Sequence, residues 1–270
     1  MSPTAVTGPL SVEVRELTTA DECHAVSELY AEIWATPSAE SPMPGEVLIA
    51  LAHSGNYVVG AFTSDGTLVG GAAAWFGESS DGEHAGTRFL HSHIAAVTTA
   101  SQGLGVGMVL KQHQRRWAGD RGIPEIRWTF DPLVRRNAWF NLTRLGAVGL
   151  RYVEDYYGGL DDQINAGEPT DRMVVHWTVD QPAERTTDTA TGAYPFLDVD
   201  RGDEPVVLDT DPPVTNLAVW LPEDIVAMRR DQPDLARRWR AAQRSVLVPA
   251  LANGYRATAV TQEGWLILTR

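Results

Sequence analysis

The sequence predicts an α/β fold in which helices flank a mixed sheet, followed by a smaller α+β C-terminal domain. Three observations carry this. Short runs such as Ile126, Trp128 and Phe130 alternate apolar and polar residues with the period of a strand. Longer stretches space apolar residues for one helical face, as Ala25, Leu29 and Ile33 do. Strand-like and helix-like runs also interleave along the chain instead of segregating.

The elements follow in order. Val12 to Leu17 alternates Val12 and Val14 and predicts a strand. A helix from about Thr19 to Trp34 has a threonine cap and Asp21 and Glu22 in its first turn. The proline-rich segment 35–44 reads as a loop, and Gly45 to His53 as a short helix. Tyr57 to Phe62 and Leu68 to Phe76 are strands around the Ser64-Asp65-Gly66 turn. A polar, glycine-rich loop leads to a strand from Arg88 to Val97. A glycine-punctuated segment then opens a helix to about Gly119, and Glu125 to Phe130 is the next strand. A helix from Asn137 to Leu145 ends at Gly146, and strands at Tyr152 to Tyr157 and Met173 to Val179 follow.

Residues 181–213 carry Pro, Thr, Gly and acids without periodicity and read as a linker or surface crossing. Beyond them come a strand (Leu217 to Trp220), helices (Pro222 to about Arg230, with proline in the first turn, and Asp234 to Ala252) and a hairpin (Tyr255 to Thr261, Trp265 to Thr269). The order helix, glycine, strand, strand echoes residues 137–179, so 214–270 reads as a degenerate half-copy of the first domain. The expected domains are 1–180, the crossing 181–213, and 214–270.

Composition narrows the function. The chain has 270 residues and a formal net charge of -13, a field that repels nucleic acid and anionic membranes. Of 22 basic residues, all but Lys111 are arginine. A single cysteine, Cys23, excludes internal disulfides and a cysteine zinc cluster, and reads as a small buried hydrophobe. No apolar run approaches the ~20 residues that span a bilayer. Met1 to Leu10 has no basic-then-apolar leader pattern, so a cytoplasmic protein is expected.

The chemistry concentrates in His91-Ser92-His93-Ile94-Ala95-Ala96-Val97 and the following Gln102-Gly103-Leu104-Gly105-Val106-Gly107. A strand ends and a helix begins, with glycines at the junction. Unobstructed N–H groups there, backed by the helix dipole, form a cradle for a pyrophosphate. The Walker lysine is missing, and Met108 takes the third glycine position of the dinucleotide fingerprint. What fits is Gln/Arg-x-x-Gly-x-Gly/Ala, as Gln102, Gly105 and Gly107.

This loop, the strand Ile126 to Phe130 and the helix ending Arg144-Leu-Gly-Ala147 resemble the GCN5-related N-acetyltransferase (GNAT) superfamily over about residues 12–180. Trp128-Thr-Phe-Asp-Pro-Leu133, Asn137-Ala138 and Asp171-Arg172 look more narrowly like a poorly characterised branch of predicted acetyltransferases with a C-terminal extension. The resemblance implies a GNAT-like sheet, with 214–270 as a half-GNAT. It implies binding of an acyl-CoA, most simply acetyl-CoA, as co-substrate, and transfer of its acyl group to the amine of a small molecule. The loop Gln102, Gly103, Leu104, Gly105, Val106 and Gly107 would hold the pyrophosphate. Ala95, Ala96 and Val97 would pair with the pantetheine amides, where the fourth and fifth strands splay. Asn137 and Asn141 would bond the same arm or serve as helix cap and surface.

The amine attacks directly, so a base and an acid are needed rather than a nucleophile. His93, with His91 beside it, is the candidate base or a structural histidine. Asp131 is a second candidate, for base or amine binding. A His-x-His metal site with Asp131 is a third reading, but no further ligand cluster is evident and no metal is assigned. The usual acid, a tyrosine on the helix after the fifth strand, is replaced by Leu142; Tyr156 or Tyr157 on the next strand would substitute. The alternative is a non-catalytic CoA or acyl-CoA sensor or partner-recruiting module, and a third reading acetylates protein lysines. A homodimer contact or the substrate pocket is the expected use of the C-terminal domain. Its arginines (Arg229, Arg230, Arg237, Arg238, Arg240, Arg244) read first as pairing with local acids and second as an anion site.

Overall fold

A computed structural model describes residues 10–80, 85–158, 169–180, 192–208 and 215–270. The leader reading of residues 1–9, part of the loop at 81–84, and the crossing at 181–191 and 209–213 lie outside the described residues. The expected α/β class holds, and by packing the chain forms two compact units, 1–126 and 127–270.

In the first unit, β1 (Val12–Glu16), β2 (Tyr57–Thr63), β3 (Leu68–Glu78) and β4 (Arg88–Val97) form an antiparallel array in that order. Helix α1 (Ala20–Trp34) starts at Thr19, whose hydroxyl accepts from the Glu22 amide while the Glu22 carboxylate accepts from the Thr19 amide. This reciprocal capping box satisfies two donors that a helix start leaves open. Those bonds and Arg15 hold the Glu22 carboxyl down at about 2. Helices α1 and α2 (Gly45–His53) cover one sheet face, packing Val26, Leu29, Tyr30 and Leu48 against Val58, Ala73 and Ile94. Cys23 is buried in that layer. Helix α3 (Val106–Gly119) covers the other face, with Leu110 and Trp117 over the buried Tyr57.

Close approach on β3 depends on Gly70, where an added Cβ would lie 2.9 Å from the Ala96 carbonyl and 3.3 Å from Leu110 and Val106. Gly70→Ala therefore pushes β4 and the first turn of α3 away from β3. We expect it to cost about 1–3 kcal/mol, as overpacking does; an unchanged denaturant midpoint would contradict that register.

The second unit opens with β5 (Glu125–Phe130), whose last four residues lie in it, and helix α4 (Arg135–Ala138). That helix widens into a π-helical turn over Trp139–Arg144. β6 (Val148–Val153) and β7 (Arg172–Thr178) follow; β6 starts earlier than expected, and Tyr156 and Tyr157 sit in the turn beyond it. Where the sequence reads an aperiodic crossing, the structure has two short strands, β8 (Tyr194–Val199) and β9 (Pro205–Val207). β8 pairs parallel to β10 (Asn216–Trp220), a neighbour distant in sequence that supplies the order local periodicity does not announce. Helix α5 (Ile225–Asp231) begins later than expected: Asp224 caps it through the Ala227 amide, so Pro222 precedes the helix. Helix α6 (Pro233–Ala252), β11 (Arg256–Val260) and β12 (Trp265–Thr269) complete the unit. Its strand order is β5-β7-β6-β11-β12-β10-β8-β9.

Candidate functional site

The glycine-rich junction lies between β4 and α3. A 3-10 turn, Thr99–Ser101, leads to Gly103 and Gly105, which stand at φ +77° and +89°. Only glycine adopts that left-handed region without cost, and Gly105 is the N-cap of α3. The Gln102 and Leu104 amides are engaged by the carbonyls of Thr99 (3.4 Å) and Ser101 (3.3 Å). This corrects the reading of the whole stretch as donors. Among the described residues, the amides of Gly103, Gly105, Val106 and Gly107 have no main-chain acceptor. They collect at the positive end of a fourteen-residue helix. The loop is held from both sides, since Gln102 Nε2 donates to the Val97 carbonyl and the Leu104 carbonyl accepts from the Leu10 amide. The junction can cradle an anion without first being ordered.

Leading into it, Ala95, Ala96 and Val97 pair with Ala72, Gly71 and Gly70 of β3. Just before them, Ile94 faces Ala73 and Ser92 faces Ala74, so His93 is an extra residue without a partner on β3. This bulge re-aims the strand. The His91 and His93 rings both lie against Trp75, with centroids 5.1 and 4.6 Å away. Burial holds both imidazoles toward the neutral form: His91 falls to about 4, through burial first and then His93 and Lys111, and His93 is lowered by burial. A neutral imidazole is the form that accepts a proton.

On the opposite side of β4, Lys111 of α3 is buried and donates to Ser92 Oγ (2.9 Å) and Gln114 Oε1 (3.2 Å). Burial brings its ammonium down to about 7. Sequence reasoning passed over this residue. The available signal was the chain's only lysine in the apolar stripe of Val106, Leu110 and Trp117.

In the second unit, Asp131 is 8% exposed and bound by two arginines. Arg229 donates to Oδ2 (2.5 Å), and Arg240 donates to both oxygens (2.9 and 2.7 Å). Burial works to raise the carboxyl, but the charges and bonds of Arg240 and Arg229 outweigh it and hold it far below the usual range. A carboxylate so committed is not a base, and the structure makes it an anchor for α5 and α6. Asn141 is buried and its Oδ1 accepts from the Trp128 indole (3.2 Å) inside the fold, which corrects the surface reading. Asn137 is exposed one turn earlier, its amide bonded to the Val134 carbonyl. Leu142 is fully buried, so that position supplies packing. Tyr157 is 40% exposed, with its hydroxyl 3.3 Å from Thr129 Oγ1.

The basic C-terminal cluster finds acids throughout, as its first reading held. Besides the Asp131 pairs, Arg230 binds Asp231, Arg237 binds Asp234, Arg238 binds Glu204, and Arg244 binds Asp171 and Glu154. Among the described residues, no group of three or more His, Cys, Asp or Glu could hold a metal ion, and no helix is long and apolar enough to cross a membrane.

Neither a protein-family model nor a curated protein matches the chain. Solved structures do match in shape. A candidate acetyltransferase of Acinetobacter baylyi superposes with a TM-score of 0.51 over 68% of this chain and all of its own, at 15% identity. A candidate acetyltransferase of Salmonella typhimurium, held with acetyl-CoA, gives 0.48 over 66% of this chain and 99% of its own, at 16% identity. Arabidopsis thaliana Naa50, in complex with a CoA bisubstrate analogue, gives 0.46 over 62% and 98%, at 18% identity. With its mixed sheet and flanking helices, the chain has the fold of the GCN5-related N-acetyltransferases.

Proposed function

We propose that the protein is an acyl-CoA-dependent N-acyltransferase, with acetyl-CoA the simplest donor and the amine of a small molecule the acceptor. The observation that carries this reading is the set of four amides, Gly103, Gly105, Val106 and Gly107, at the N-terminus of α3 directly after β4. They suit a pyrophosphate, and Ala95 to Val97 offer small side chains beside which a pantetheine arm can lie. We take 1–180 as the acyl-CoA-binding domain and 214–270 as the C-terminal domain.

In the reaction, the amine nitrogen attacks the thioester carbonyl, the carbon–sulfur bond breaks and the thiolate leaves. His93 takes the proton that the ammonium must lose; its burial against Trp75 keeps it neutral for that task. A backbone N–H near the strand end stabilises the developing oxyanion. Tyr157 is the candidate acid, although a thiolate is a good enough leaving group to depart without one.

Isothermal titration with acetyl-CoA is the direct test, and no binding at millimolar ligand would end this reading. His93→Ala is expected to lower thiol release by about 10²–10⁴-fold while leaving acetyl-CoA affinity within a factor of two. Unchanged turnover removes His93 from the mechanism. The buried Leu142 favours a second reading, a non-catalytic acyl-CoA sensor. Binding of acetyl-CoA without thiol release across a broad amine panel would select it.

A further inference from the structure

The second unit repeats itself. From β5 to β10 its strand order is β5-β7-β6-β11-β12-β10, which reads the same from either end when β5, β6 and β7 are matched with β10, β11 and β12. Each half runs strand, helix, then an antiparallel strand pair. The halves meet where β6 and β11 pair antiparallel, with Gly149 opposite Ala257. Each of these lies three residues past the left-handed glycine that closes its helix, Gly146 (φ +73°) or Gly254 (φ +92°). A residue that pairs with its own counterpart marks a two-fold axis.

The ties across the axis are reciprocal. Asp131 follows β5 as Leu221 follows β10, and each precedes a proline, Pro132 or Pro222. Asp171 precedes β7 as Gly264 precedes β12. From the first half, Arg135 donates to the Leu221 carbonyl, and its guanidinium fills the place of a Gly264 side chain. From the second half, Arg240 and Arg244 reach Asp131 and Asp171, the counterparts of those two positions. The π-helical turn of α4 packs on β11, and α6 packs on β6. The chemistry has diverged where the geometry has not, with carboxylates in one half and a carbonyl and a glycine in the other.

We propose that residues 127–179 and 216–269 are two copies of one βαββ unit forming an isologous dimer within a single chain, so that the β6 edge is filled by the chain's own C-terminal copy and the protein is a monomer. The dimer contact expected from the sequence is thus made internally. In a symmetric oligomer such an edge would recruit the same surface of another molecule; here the recruit is already attached.

Sedimentation velocity of the full chain is expected to give one species of 29.5 kDa across a hundredfold range of concentration. Amide exchange in β6 and β11 is expected to be equally slow at both ends of that range. A species of twice the mass, or protection that grows with concentration, would mean that two chains supply the pair and overturns the proposal. Arg135→Ala removes one of the reciprocal ties and is expected to lower protection about tenfold in β6 and β11 together, leaving β2 unchanged. Loss confined to β11 would show that the halves do not act as a pair. The mass measurement needs no variant and stands if this one fails to fold.

Discussion

Asp131→Ala is expected to lower the unfolding free energy by about 3–5 kcal/mol, the largest loss of any single exchange considered for this fold. The argument is one of desolvation. Arg229 and Arg240 are 2% and 5% exposed in their side chains, and both converge on this carboxylate. Removing it leaves two guanidiniums out of water without the charge that offsets their burial. Pairs on the surface behave differently: Arg230 with Asp231 and Arg237 with Asp234 are more than half exposed on each side. Arg237→Ala should therefore change stability by less than about 1 kcal/mol.

Acid supplies a second check. The folded Asp131 carboxyl lies far below its unfolded value, so the unfolded state takes up the proton first as pH falls. Its contribution is fully present above the unfolded pKa near 4 and drains away below it. Asp131→Asn should flatten the fall in stability below that point. Urea unfolding of the two proteins between neutral pH and pH 3 measures this directly; parallel curves would show that the triad is not the anchor described.

The distance between these partners explains much of what the sequence did and did not reveal. Local chemistry was legible. The threonine cap of α1 and the acids of its first turn lie within a few residues of each other, and β4 was delimited at Arg88 and Val97, although the reciprocal bond from Glu22 was not read. The glycine turn was recognisable because the strand end, the glycines and the helix start all fall between Val97 and Gly107. Asp131 looked like a catalytic carboxylate at a strand end because Arg229 and Arg240 lie 98 and 109 residues away. The bulge at His93 was hidden for a similar reason, since it is defined by register against β3 rather than by composition. β8 and β9 have the weakest intrinsic pattern and exist through pairing with β10 and with each other. The half-copy proposed for the C-terminal region was suggested by element order, and what supports it is a set of reciprocal contacts that no linear reading contains.

Gly107→Asp separates the carrier-binding role of the glycine turn from its structural role, because the two respond with opposite sign. Gly107 is the second residue of α3 and adopts ordinary helical geometry. An aspartate there faces the positive end of the helix, which favours it by about 0.3–1 kcal/mol, and replacing glycine reduces the backbone entropy lost on folding. The melting temperature should hold or rise. A pyrophosphate approaching the same amides would instead meet a fixed negative charge. At about 5 Å and an effective dielectric near 20, each charge pair is worth roughly 3 kcal/mol before screening. Acetyl-CoA affinity should therefore fall at least about 100-fold, or about 2.7 kcal/mol. Gly107→Asn, with the same shape and no charge, should lose less than about tenfold, and added salt should narrow the gap between the two variants. Titration calorimetry beside thermal melting reads both quantities on one sample. If the aspartate variant binds acetyl-CoA as the parent does, the diphosphate is held elsewhere, and the amides of Gly103, Gly105, Val106 and Gly107 serve only to start a helix.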